Sequence, residues 1–125
     1  MIDWSKYPNF RKSEFDCSFT GRNEMKAEFL DILQKIRTLI NKPMIITSGY
    51  RDKTHPREHH KAKGGTHTLG VAADISVRGA DALKLIWIAL DCGIQRIGVN
   101  QKGDKRFIHL DIGDRYGFNV SVWTY

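Results

Sequence analysis

Residues 66–77 read THTLGVAADISV, and residues 106–112 read RFIHLDI. Both stretches carry the short, apolar, β-branched pattern of buried strands. Each also puts polar groups where a core pattern calls for apolar ones: Asp74 in the first, His109 and Asp111 in the second. Successive strand side chains point to opposite faces, so His109 and Asp111 share a face. An ionised carboxylate inside a sheet is costly unless it is paired or bound to a cation. Two such carboxylates and a histidine predict one shared polar centre on the sheet.

His67 can join that centre. It stands seven residues before Asp74, and Gly70 lets the chain bend between loop and strand. Zinc accepts imidazole nitrogens and carboxylate oxygens, and a catalytic zinc keeps a fourth position open for water. Two histidines and one aspartate meet that requirement. The spacing alone also fits a surface histidine beside a buried Asp74 ion pair.

The flanking segments predict the frame. Asn23 is expected to cap a helix over 24–40, with Phe29, Ile32, Leu33, Ile36, Leu39 and Ile40 as its core stripe. A second helix is expected over 80–92, with Leu83, Ile86, Trp87 and Leu90 on one face and Gly93 as its stop. MIITSGY, QRIGVN and NVSVWTY read as further strands, with QKGDK a turn before RFIHLDI. Trp4, Tyr7, Phe10, Phe15 and Phe19 are expected to anchor an irregular start on the core. The expected class is α+β, a small mostly antiparallel sheet with helices packed on it, in one domain spanning 1–125. Between the first strand and Gly70 lies a long polar loop with four of the five histidines, His55, His59, His60 and His67. A loop of that length in a small domain points to function.

Composition narrows the classes. Twenty Lys and Arg against fourteen Asp and Glu give a net charge of +6, with a local basic cluster from Arg51 to Lys63. That balance suits a polyanionic partner. A nucleic-acid binder would rest on charge alone, because no helix-turn-helix, zinc-finger or RNA-binding signature is present. Cys17 and Cys92 form no close-spaced metal motif and suggest no disulfide framework. No signal-peptide core or membrane-spanning apolar run is found, so the expectation is a chain made without its own export signal.

Three segments together carry a resemblance: SGYR at 48–51, THTLGVAAD at 66–74 and FIHLD at 107–111. In order and spacing, and in the helix that precedes them, they resemble the M15 family of zinc peptidases. That family includes D-Ala-D-Ala carboxypeptidases, murein endopeptidases and phage endolysins, and the Hedgehog signalling domain shares its fold. The resemblance covers roughly residues 10 to 115, and the KSEF start is most similar to short phage-type or prophage-type members. It implies zinc as cofactor, with His67, Asp74 and His109 as ligands. It also implies Arg51 as the group that binds a substrate carbonyl or carboxylate, a task suited to a bidentate guanidinium.

One departure matters. One branch of the family has a glutamate base three residues before the last zinc histidine, where this chain has Arg106. Another has histidine two residues before it, where this chain has Phe107. Asp111 is the nearest substitute, either as catalytic base or as a partner that orients a zinc histidine. His55, His59 and His60 could also move protons, and His55 could touch substrate. Ser48 and Tyr50 read as structural.

The implied activity is amide hydrolysis in the peptide stems of peptidoglycan, by a monomer that enters neither nucleic acid nor membrane. It would act on the bacterial wall after release or as part of a phage particle. An L-Ala-D-Glu endopeptidase of the same family and an inactive zinc-containing binding module are the alternatives.

Overall fold

The computed structural model describes residues 1–61 and 64–125; Ala62 and Lys63, the end of the basic cluster, lie outside the described residues. Among the described residues, two α-helices, α1 (Ala27–Ile40) and α2 (Gly79–Asp91), accompany five strands. The strands are β1 (Ile45–Ser48), β2 (Ala72–Ser76), β3 (Arg96–Asn100), β4 (Phe107–Asp111) and β5 (Ser121–Thr124). They form one sheet in the order β1-β2-β4-β3-β5. Three pairings are antiparallel, and β5 joins the edge parallel to β3. The α+β expectation holds, with each predicted strand in place.

Alternation along β2 and β4 separates the two faces. Ala73, Ile75, Ile108 and Leu110 belong to the core cluster with Phe29, Leu33 and Ile36 of α1 and Leu85 of α2. Asp74, His109 and Asp111 fall on the opposite face. The register then runs one row across the sheet: Ser48 opposite Asp74, Asp74 opposite His109, His109 opposite Gly98, Gly98 opposite Trp123. A bulge between Ile46 and Ser48 sets the β1 end of that row.

Three local expectations need correction. The first helix starts at Ala27, not Glu24, and its N-cap Lys26 makes no side-chain cap. Asn23 instead accepts the Met25 N–H at 3.0 Å, and the Lys26 N–H bonds the Gly70 carbonyl at 2.9 Å. Lys26 is thus held extended against Gly70, whose φ of +74° and lack of Cβ are both required: a Cβ there would collide with the Glu24 carbonyl oxygen.

The helix stripes are also shifted in phase. Leu39 is exposed on α1. On α2, Leu83, Trp87 and Leu90 face solvent, while Ala82, Leu85 and Ala89 face the core. Small residues on the inner face let α2 lie close to its neighbours, and its larger apolar side chains are left outside. Finally, Tyr7, Phe10 and Phe15 are buried as expected, but Phe19 is exposed.

Both cysteines are free thiols, Cys17 buried and Cys92 partly so. Among the described residues no helix is long and apolar enough to cross a membrane.

Candidate metal centre

The polar row converges with one loop residue. A short 3-10 turn at Thr66–Leu69 ends in left-handed Gly70 and feeds directly into β2. That turn delivers His67 beside Asp74, and β4 delivers His109 from the other side. His67, Asp74 and His109 are all buried, and each offers a ligand atom within 4.8 Å of the other two. This is the set read from the sequence.

Hydrogen bonding fixes which nitrogens face inward. His67 Nδ1 lies 2.7 Å from the Gly49 carbonyl, which can only accept, so Nδ1 carries the proton and Nε2 is left as a lone pair. His109 Nε2 lies 2.6 Å from Asp111 Oδ2, leaving Nδ1 turned to Asp74 Oδ1 at 2.9 Å. His67 Nε2 lies 3.4 Å from that same Asp74 oxygen. Two imidazole lone pairs thus face one buried carboxylate. Only a positive charge between them, a proton or a metal ion, reconciles that arrangement. The donor set of two nitrogens and one oxygen suits zinc.

The electrostatics agree. Burial pushes the His67 pKa down and outweighs the pull of Asp74, so His67 is held neutral. Burial opposes charge on His109 too, but its bonds to Asp111 and Asp74 prevail and raise its pKa. Burial would raise the Asp74 pKa, yet the two histidines hold its carboxyl well below the ordinary range.

Asp111 is fully enclosed. Oδ1 accepts from Arg96 Nε and the Gly113 N–H, each at 2.7 Å. Oδ2 accepts from His109 at 2.6 Å and from Thr66 Oγ1 at 3.1 Å. Burial alone would raise its pKa, but the His109 bond leads a set of donors that lowers it. A carboxylate with both oxygens occupied and no solvent contact is suited to orienting the His109 ring.

Arg51 sits beside the ligands. Its Nη2 is 3.3 Å from Asp74 Oδ2, its Nη1 is 3.3 Å from Glu58 Oε2, and its Nε donates to Ser48 Oγ at 3.1 Å. These bonds leave a spare N–H on each terminal nitrogen. Glu58 carries no signal in the sequence, where it reads as one more charge in a polar loop. It is buried, and it also accepts from the Gly65 N–H at 3.0 Å and from Lys61 at 3.2 Å. Burial would raise its pKa, but the Gly65 and Lys61 bonds lower it.

A groove of about 560 Å³ reaches Asp74 and Arg51 and is walled by His55, Arg57, Lys105, Arg106 and Phe107. Among the described residues, Arg57, Lys105 and Arg106 belong to no ion pair. His55 is on the groove wall and not at the metal ligands. Its Nδ1 accepts the Arg57 N–H at 3.1 Å, and its Nε2 lies 3.3 Å from Ser18 Oγ. Burial, then Arg51, lowers its pKa. His59 and His60 are exposed and meet edge to face, with ring centroids 5.7 Å apart. Arg106 and Phe107 both line the groove.

Three further residues were not singled out from sequence: Arg96, which holds Asp111, and Trp123 and Tyr125 of the last strand segment. The alternation in NVSVWTY puts Trp123 and Tyr125 on one face, but nothing in it shows that β5 docks beside β3. No curated protein matches the chain. Residues 8–111, most of the chain, match the Peptidase M15 family profile, and the chain belongs to that family.

Proposed function

We propose that this chain is a zinc-dependent hydrolase of amide bonds in the peptide stems or cross-links of peptidoglycan. The observation that carries the reading is the convergence of His67, Asp74 and His109 with Arg51 at the end of a basic groove. His67, Asp74 and His109 would hold the metal. The chemistry a bound zinc supplies is acidification of water and polarisation of a carbonyl.

The protein's own groups do the remaining work. The Gly49 carbonyl and Asp111 each fix one ligand imidazole in the tautomer that turns a lone pair inward. Arg51, anchored by Glu58 and Ser48, offers its spare N–H groups to a substrate carbonyl oxygen as charge gathers there. Arg57, Lys105 and Arg106 line the groove with cations free to meet the carboxylates of a stem peptide. His55 on the same wall would contact the bound peptide. The Lys12–Phe15 turn packs Phe15 under Gly49, and the resemblance of its KSEF sequence to the start of phage-type members favours a lysin that acts on the wall.

The test is mass spectrometry of purified muropeptides incubated with zinc-loaded protein. Cleavage of one stem bond with gain of one water is expected, together with about one zinc per chain by elemental analysis. Stoichiometric zinc without cleavage of any muropeptide would overturn the hydrolase reading in favour of a binding module.

A further inference from the structure

The row that begins at the metal ligands does not end with them. Gly98 lies directly opposite His109 on one side and beside Trp123 on the other. A Cβ on Gly98 would stand 2.7 Å from Trp123 Nε1 and 2.8 Å from Tyr125 Oη. The missing side chain therefore makes a hollow next to His109, and two polar atoms of β5 and its following residue fill it. The Trp123 indole packs on the His109 ring with centroids 5.2 Å apart, and the Tyr125 ring packs on Phe107 at 5.0 Å.

Trp123 Nε1 and Tyr125 Oη thus meet over Gly98. An indole N–H is a donor only, so Trp123 Nε1 can offer a hydrogen to Tyr125 Oη but cannot take one from it. The Tyr125 O–H must then point to some other acceptor. Tyr125 and Trp123 line a cavity of about 230 Å³ together with Arg51, His67, Asp74 and His109. More than half of Tyr125 is open to solvent, and the burial of the rest, with Asp74 and Asp111 nearby, pushes the phenol pKa up, so the hydroxyl keeps its proton at neutral pH.

We propose that Tyr125 donates its phenolic hydrogen to the substrate carbonyl oxygen at the metal centre, from the end of the row opposite Arg51. This rests on the peptidase reading above. One donor from the β1 side and one from the β5 side would grip the developing charge between them. Trp123 is the positioning residue: it holds the phenol oxygen in place and walls His109.

The experiment compares the zinc-loaded parent with Tyr125→Phe and Trp123→Phe, measuring zinc content, melting temperature, turnover on muropeptides, and calorimetric affinity for a phosphinate analogue of a stem dipeptide. Tyr125→Phe keeps the ring against Phe107, so zinc content and melting temperature should match the parent. Its kcat should fall by about 10–10³-fold with KM little changed, and phosphinate affinity should fall by at least about tenfold. Trp123→Phe should give a smaller loss of the same kind. If Tyr125→Phe matches the parent in kcat and phosphinate affinity, the role of Tyr125 is overturned while the peptidase reading stands. If the parent neither cleaves muropeptides nor binds the phosphinate, the peptidase reading fails and this inference falls with it.

Discussion

Ile108 and Leu110 face the helices, and Phe107 and His109 face the metal pocket with Asp111 enclosed on the same side, although all five belong to one five-residue strand. The helix side is held by apolar area, which is non-directional and tolerates exchange of similar volumes. The pocket side is held by mutual satisfaction. His109 binds two carboxylates, and Asp111 binds four donors. Removing one partner there strands the others in a low-dielectric interior. The comparison teaches that stability and chemistry in this small protein are divided between the faces of a single sheet, so they can be perturbed separately.

The sharpest way to break that division is a pair of substitutions on neighbouring β2 and β4. Asp74→Ala should abolish stoichiometric zinc and reduce muropeptide cleavage to background, as measured by elemental analysis and mass spectrometry. Leu110→Ala should leave zinc content intact while lowering unfolding free energy by about 2–5 kcal/mol in a denaturant titration. Zinc retained at parental affinity in Asp74→Ala would show that the ligands are assigned wrongly.

Next in size is Arg51→Ala, for which turnover should drop about 10²–10³-fold with zinc still bound. Arg51→Lys should recover little, because a point charge cannot reproduce the fork that spans Glu58, Asp74 and a substrate oxygen. Parental turnover in the alanine variant would sink the role.

Asp111→Asn probes the pocket from behind. An orienting carboxylate predicts zinc affinity weakened by about 10–100-fold, with activity partly restored by added zinc. A base would instead lose turnover at unchanged zinc affinity. The enclosed position of Asp111 and its four donors favour the first outcome.

The smallest expected effect is at Glu58. Its folded pKa lies below the ordinary glutamate value of about 4.3, so its contribution to stability is present above that pH and is lost as pH falls through the folded value. Glu58→Gln should be less stable than the parent near neutrality by about 1–3 kcal/mol. The gap should close as the pH is taken below about 4, and a gap independent of pH would show that Glu58 contributes by packing alone.

Much of this was legible in the residues themselves. The period-two pattern of VAADISV and RFIHLDI placed Asp74, His109 and Asp111 on strands and put the last two on one face. Gly70 before the strand brought His67 into reach of Asp74, whereas Arg51 came only from the resemblance of SGYR to the M15 family. These signals are local, because strand alternation and glycine punctuation act over a few residues. Phase and partner are not local. The α2 stripe had the right period, yet Leu83 and Trp87 point to water because Ala82 and Ala89 allow the closer approach. The start of α1 moved because Gly70, more than forty residues away in the chain, holds the Lys26 N–H.

The same reason divides the candidate site. Residue types that can hold a divalent metal were set by sequence, since only imidazole and carboxylate offer those lone pairs among apolar neighbours. That Asp111 faces Arg96 and Thr66, that Glu58 anchors Arg51, and that Trp123 packs on His109 with Tyr125 beside it over Gly98 were decided by tertiary structure. Each is a contact across separate elements, fixed by sheet register and loop closure and not by any spacing along the chain.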